Sequence, residues 1–141
     1  LPIGFAHPHI RIADIARSLD FYCKRLGLVE IARLVEAHYT LIYLAAPGDI
    51  AKAPNAPAPM LELSYVHDGP PITDGTRFGH IAFHVDDLGE TCAQLAKDGV
   101  TVSVAPQPQG FAYIVTPDGM TIELLQRRPD ATGDPSPSVL G

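Results

Sequence analysis

Positive charge is scarce in this chain: 10 lysines and arginines stand against 16 acidic residues among 141, for a formal net charge of −6. Phosphate recognition needs a clustered basic surface, and the only adjacent basic pairs, Lys24-Arg25 and Arg127-Arg128, do not make one. A nucleic-acid partner is therefore not expected. Long apolar runs are missing as well, and none approaches the length needed to span a membrane. Cysteine occurs only at Cys23 and Cys92, far apart and without zinc-type or redox spacing, which favours a reduced, cytoplasmic protein over a secreted one. The opening Leu1-Pro2-Ile3-Gly4 lacks the charged start and apolar core of a signal peptide. A start at Leu1 rather than methionine points to processing or trimming and leaves an upstream segment open. Apolar residues make up 46%, which rules out a disordered chain, and the length suits one domain with a real core.

Proline, by contrast, is abundant, and its placement is informative. None of the 14 prolines falls between His9 and Ala46 or between Ile72 and Ala105. Four crowd into Pro47–Pro59, and others follow in the tail from Pro129 to Pro137. Because proline removes a backbone donor and fixes φ, regular structure is expected in the two proline-free blocks. The stretch 47–59 then reads as a surface loop and 129–141 as a loosely held tail.

The two blocks are versions of one pattern. His7 precedes Asp14 by seven residues, and His80 precedes Asp87 by seven. Each aspartate is followed by apolar residues at i, i+4, i+7 spacing: Ile15, Leu19, Tyr22 and Leu88, Cys92, Leu95. That is the stripe of a helix lying on a sheet. Asp14 and Asp87 can cap the helix starts, and Gly27 and Gly99 supply the stops after Leu26 and Asp98. Strands are expected at Leu28–Leu34, Tyr39–Ala46 and Met60–Val66, then at Val100–Val104, Phe111–Val115 and Met120–Gln126. The turn Thr116-Pro117-Asp118-Gly119 sets the last hairpin. The expected fold is α+β, a βαβββ unit written twice: one domain over 1–141, with module one at about 5–66, module two at about 78–128 and the tail behind. Curved four-stranded sheets with raw edges call for pairing with a second copy.

Each last strand embeds an acid between aliphatic neighbours, in Leu61-Glu62-Leu63-Ser64 and Ile122-Glu123-Leu124-Leu125. Alternation directs each glutamate to the face opposite its flanking apolar residues. His7 lies 55 residues before Glu62 and His80 lies 43 before Glu123, an excess close to the length of the proline-rich stretch that block two lacks. A first-strand histidine and a last-strand glutamate thus occupy equivalent places in both modules. Carboxylates turned into a sheet are costly unless neutralised or bound to a cation. Two imidazoles with two carboxylates form a mixed N/O set suited to a divalent metal, with water completing an octahedron.

The run Asp14-Ile15-Ala16-Arg17-Ser18-Leu19-Asp20-Phe21-Tyr22 up to Leu26-Gly27-Leu28 resembles the signature of the vicinal oxygen chelate superfamily. So do Gly79-His80-Ile81-Ala82-Phe83 and Pro117-Asp118-Gly119-Met120-Thr121-Ile122-Glu123. Within it the resemblance is nearest to the glyoxalase I (lactoylglutathione lyase) family, over roughly residues 5–128. That resemblance implies metal ligands at His7, Glu62, His80 and Glu123, with Glu123 first and Glu62 second as the proton-moving carboxylates. The reaction it implies is isomerisation of the hemithioacetal of methylglyoxal and glutathione to S-lactoylglutathione. Nickel or cobalt is implied by the short bacterial-type form, and zinc uses the same ligand types. A homodimer is implied too, with His7 and Glu62 from one chain and His80 and Glu123 from the other. Arg11 matches an arginine that helps hold glutathione in the family. Arg77, three residues before His80, is a second candidate for binding a carboxylate. The stretch Gln107-Pro108-Gln109-Gly110 departs from the family, where lysine or arginine is common, so cationic anchors are fewer than a glutathione site usually has.

Glu62 separates this reading from its neighbours. Related extradiol dioxygenases use three protein ligands, and methylmalonyl-CoA epimerases generally carry glutamine at that place. Another superfamily metalloenzyme of the dioxygenase, epimerase or isomerase kind is one alternative. A non-catalytic small-molecule binder of the bleomycin-resistance type is the other. Among the remaining residues, His9 shares a face with His7 but not its register in the repeat. His84 reads as packed or supporting. His38 and His67 read as solvated, and both cysteines as packed helix residues.

Overall fold

The two proline-free blocks fold as the repeat predicts, in a computed structural model that describes residues 5–52, 58–73 and 75–128. The chain divides into two compact units, Leu1–Thr73 and Asp74–Gly141. Unit one contains β1 (His9–Arg11), α1 (Ile15–Leu19), β2 (Val29–Val35), β3 (Tyr39–Ala45), α2 (Pro47–Lys52) and β4 (Met60–Val66). Unit two contains β5 (Ile81–Val85), α3 (Leu88–Lys97), β6 (Val102–Val104), β7 (Phe111–Val115) and β8 (Thr121–Gln126). The sheet orders are β1-β4-β3-β2 and β5-β8-β7-β6, so the topology is the same in both. In each, the first strand runs parallel to the last, and the other neighbours are antiparallel. The fold is α+β with two four-stranded mixed sheets.

Local chemistry explains the element boundaries. The Asp14 carboxylate accepts a hydrogen bond from Arg17 N at 2.7 Å, and Asp87 accepts one from Glu90 N at 2.8 Å. Each cap satisfies a helix N–H that has no partner within the helix. Gly27 at φ 82° and Gly99 at φ 87° end the helical segments in the left-handed region, where a side chain would strain the backbone. In α3 the predicted stripe is the buried face, with Leu88, Cys92 and Leu95 all at 4% exposure or less.

The first helix departs from expectation. A regular helix to Leu26 was expected, but after Leu19 the chain widens into a π-type segment over Asp20–Arg25. Leu26 N donates to Phe21 O, five residues back, at 3.0 Å. The wider turn lets the adjacent rings of Phe21 and Tyr22 both enter the core, packed edge-on at 5.0 Å between centroids. Ile15 and Leu19 are only half-buried, while Ser18 is buried beside them.

The start of the proline-rich stretch is helical rather than a loop. Residues Pro47–Lys52 form a short helix, with Ala46 O accepting from Asp49 N and Ile50 N. Proline fits the first helical position because its missing N–H would have no partner there anyway. Residues 53–57, and the tail from 129, lie outside the described residues. The last hairpin turns as predicted: Gly119 has φ 88°, and Gly119 N donates to Thr116 O at 2.9 Å. The core lies on the helix-facing side of each sheet, around Ile42, Leu44 and Leu63 in unit one and Ile114, Ile122 and Leu124 in unit two. Among the described residues no helix is long and apolar enough to cross a membrane, a statement that leaves β-barrels aside.

Candidate functional site

Each unit presents one imidazole–carboxylate pair, and the register of its parallel strands explains how. His9 is the Cα partner of Glu62, and Ala82 is the Cα partner of Glu123. His7 and His80 both stand two residues earlier, just outside the strands in which they were expected. In unit one the strand starts late because Pro8 has no N–H to give, although its carbonyl still accepts from Glu62 N at 3.1 Å. From these places His7 Nε2 meets Glu62 Oε2, and His80 Nε2 lies 2.7 Å from Glu123 Oε2. The glutamate side chains are 8% and 5% exposed, the histidines 29% and 40%. Both acids are thus buried at the centre of a sheet, each facing an imidazole at its rim.

Two tyrosines join these pairs, and sequence reasoning missed them. Tyr43 is the β3 partner of Glu62, and Tyr113 is the β7 partner of Glu123. Their rings contact the histidines, with centroids 5.7 Å apart for His7–Tyr43 and 5.8 Å for His80–Tyr113. The Tyr43 phenol is pushed above its ordinary value, first by burial, then by the negative charge of Glu62 and a hydrogen bond to it. Tyr113 could have been found by counting back from the Thr116–Gly119 turn. Tyr43 could not, because a longer segment separates its strand from β4.

His9 is the point where the units differ. Its Nδ1 lies 3.4 Å from Glu62 Oε1, the oxygen that His7 does not face. Arg11, two residues beyond His9 and paired with Ser64, continues the same face. It lines an open cleft of about 300 Å³ together with Ser64, Tyr65, Asp68, Pro70 and Ile72. His84, paired with Leu125, holds the place in unit two that Arg11 holds in unit one, and it is exposed rather than packed. Arg77 lies in an exposed turn of unit two.

The other candidates resolve simply. His67, expected to be solvated, ties two strands together: its Nε2 is 3.0 Å from Thr40 Oγ1 and its Nδ1 3.2 Å from Ala37 O. His38 is exposed, as expected. Burial pushes both the Cys23 and Cys92 thiols up, which keeps them protonated and poor nucleophiles.

Among the described residues, no three His, Cys, Asp or Glu side chains by themselves form a metal-holding group. Unit one instead offers the imidazoles of His7 and His9 beside the buried Glu62, and unit two that of His80 beside the buried Glu123. The donor types, taken twice, fit a divalent cation of the transition series.

The sequence matches the Glyoxalase/Bleomycin resistance protein/Dioxygenase superfamily over residues 4–124. It is 31% identical over 134 residues to lactoylglutathione lyase of Escherichia coli O157:H7, covering 90% of this chain and 95% of that one. The fold is similar to that of the trypanothione-dependent glyoxalase I of Leishmania major, with a TM-score of 0.73, 31% identity and coverage of 85% and 84%. It is also similar to TnmS3, an antibiotic-binding protein from Streptomyces sp. CB03234, with a TM-score of 0.68, 25% identity and coverage of 91% and 99%. The chain belongs to the glyoxalase/bleomycin resistance protein/dioxygenase superfamily.

Proposed function

We propose that this protein is a cytoplasmic, metal-dependent lyase of the glyoxalase I kind, isomerising the hemithioacetal of methylglyoxal and glutathione to S-lactoylglutathione. The observation that carries the proposal is the duplicated pair, His7 with Glu62 and His80 with Glu123, at equivalent sheet positions. Similarity to lactoylglutathione lyases over nearly the full length of both chains supports the same reaction.

His7, Glu62, His80 and Glu123 would hold the cation, nickel or cobalt in preference to zinc. When bound, it supplies Lewis-acid stabilisation of the negative charge that develops on the substrate's two adjacent oxygens. The protein's own task is to move a proton. Glu123 takes the C–H proton from the hydroxyl-bearing carbon and returns it to the neighbouring former carbonyl carbon. The hydroxyl proton passes to the other oxygen, so the product is an isomer and no co-reactant is consumed. Glu62 is the partner carboxylate on the opposite side.

Arg11 anchors an anionic arm of the thiol carrier. It lies on the face that carries His9, two residues further along the strand, at about 7 Å. The cleft beside it is open to such an arm. Arg77 would serve as a second cationic contact. The active form would be a homodimer in which each site takes one pair from each chain. The edge strand β2 exposes Val29, Ile31, Leu34 and Val35, apolar surface of the kind a second copy would cover.

The test is to load the purified protein with nickel, cobalt or zinc and add methylglyoxal with glutathione, following thioester formation. Product formation that chelation abolishes and metal restores is the expected result. A second reading, a non-catalytic binder, draws on the similarity to an antibiotic-binding protein. Tight ligand binding with no metal and no product would establish it. Metal binding with no thioester would point to a different superfamily reaction.

A further inference from the structure

The cleft beside Arg11 carries one cation and one anion that do not meet. It lies wholly within unit one, lined by the end of β1, the end of β4 and the turn that follows β4. Arg11 stands on the strand side, across from Ser64, and Asp68 stands in the turn. Among the described residues, neither the Arg11 guanidinium nor the Asp68 carboxylate has a hydrogen-bond or ion-pair partner. Asp68 is also the only described residue other than glycine in the left-handed region, at φ 56°. Gly69 N donates to Val66 O at 3.1 Å and closes the turn, which is tight: a Cβ on Gly69 would stand 2.9 Å from the Val66 Cβ. An aspartate tolerates this backbone because its side chain can bond to the chain nearby. Asp68 makes no such bond, so the turn does not account for its carboxylate. Pro70 and Pro71 stiffen the wall that continues from it.

We infer that Arg11 and Asp68 form a subsite for a zwitterion, the free α-amino acid end of the thiol carrier, and that Asp68 selects carriers bearing an ammonium group there. This rests on the lyase reading above and deepens it by naming what the carrier must present. The two charged groups of an α-amino acid hang on one carbon. A single carbon set in the cleft can therefore offer its carboxylate to Arg11 and its ammonium to Asp68. A dianionic end, such as a phosphate, would be drawn by Arg11 and repelled by Asp68. A carrier with a carboxylate and no ammonium would leave Asp68 beside an anion. The want of lysine or arginine in Gln107-Pro108-Gln109-Gly110 fits the same ligand, since a zwitterion needs a single cation.

The test uses the full-length protein, calorimetric titration and three unreactive thioethers. The first is S-methylglutathione, whose γ-glutamyl end is the zwitterion. The second is its desamino analogue, with glutaryl in that place, and the third its decarboxy analogue, with 4-aminobutyryl. Wild-type protein should bind S-methylglutathione about fivefold more tightly than the desamino analogue, the upper worth of an exposed ion pair. Asp68→Asn, which keeps the shape and removes the charge, should abolish that preference. Asp68→Gly, which removes the charge and suits the left-handed backbone, should abolish it too. Both variants should bind the desamino analogue no worse than wild type does. Equal loss for the two ligands would mean that Asp68 acts through the fold of the turn, and would overturn the inference. So would an undiminished preference in either variant, or no preference in wild type. Arg11→Gln should weaken S-methylglutathione and leave the decarboxy analogue unaffected; equal weakening of both would likewise overturn it. Failure of the lyase reading is a separate result: wild-type protein would show these preferences and form no thioester from methylglyoxal and glutathione. Thioester formation without the preferences would keep the lyase reading and remove the subsite.

Discussion

His80 Nε2 lies 2.7 Å from Glu123 Oε2, although the histidine stands just outside its strand and the glutamate lies in the middle of another. Parallel pairing makes this contact possible. The Cα partner of Glu123 is Ala82, so the imidazole reaches back along the sheet from one side-chain repeat away, on the same face. The acid is thus buried while its partner remains at the rim. Replacement of Glu123 by glutamine preserves shape and removes the carboxylate proposed to move the proton. We expect Glu123→Gln to lower kcat by about 10²- to 10⁴-fold, the usual worth of a positioned proton-transfer group. Thermal unfolding measured alongside should stay close to wild type; a large loss of stability would mean the residue is structural first.

Glu62→Gln should read differently. Its carboxylate is engaged on both oxygens, so its loss should appear as weaker metal retention as well as lower turnover. Elemental analysis after gel filtration measures this directly. Full metal content in Glu62→Gln would remove Glu62 from the ligand set.

Arg11 has a narrower task. If it grips an anionic arm of the substrate, Arg11→Ala should raise KM and leave kcat nearly intact, because the contact is equal in ground and transition states. A charge-assisted hydrogen bond contributes about 1.5–3 kcal/mol, or about ten- to a hundredfold in KM. Steady-state kinetics against glutathione concentration checks it. A fall in kcat at constant KM would place Arg11 in the chemistry instead.

The α3 cap offers a test of folding apart from function. Asp87 accepts from Glu90 N at 2.8 Å, and Asp87→Ala should cost about 1 kcal/mol and lower Tm by about 2–4 °C. Turnover at room temperature should not change. Asp87→Asn, which keeps an acceptor oxygen, should recover most of the loss.

The thiols provide the pH prediction. Burial favours the neutral form at both Cys23 and Cys92, and the thiolate is the species that alkylates. Iodoacetamide at neutral pH should therefore modify the folded protein more slowly than free cysteine. The rate should rise only as pH climbs beyond the ordinary thiol range. Rapid loss of activity at neutral pH, traced by mass spectrometry to either cysteine, would contradict this.

Much of the architecture could be read from the chain because its signals are local. Asp14 and Asp87 cap helices by bonding to a backbone N–H three residues on, and Gly27 and Gly99 stop them through their own φ. The His–Glu duplication was legible for a similar reason: strand alternation fixes the face of Glu62 and Glu123 without knowledge of the neighbours. The proline-rich stretch misled where composition was weighed over position, since a proline at the first turn starts a helix as readily as proline elsewhere breaks one. The π-type segment at Asp20–Arg25 left no mark in the stripe, because the apolar spacing of Ile15, Leu19 and Tyr22 fits a regular helix.

By itself, then, the chain specified the repeat, the caps, the strand faces and the four residues of the two pairs. Only the tertiary structure decided what flanks each acid: His9 and Tyr43 beside Glu62, Ala82 and Tyr113 beside Glu123. It also turned His67 from a surface histidine into a tie between Thr40 and Ala37. The physical reason is one of range. Which face a side chain takes follows from a period of two along its own strand, whereas which side chain stands opposite depends on the register between strands brought together from distant parts of the chain.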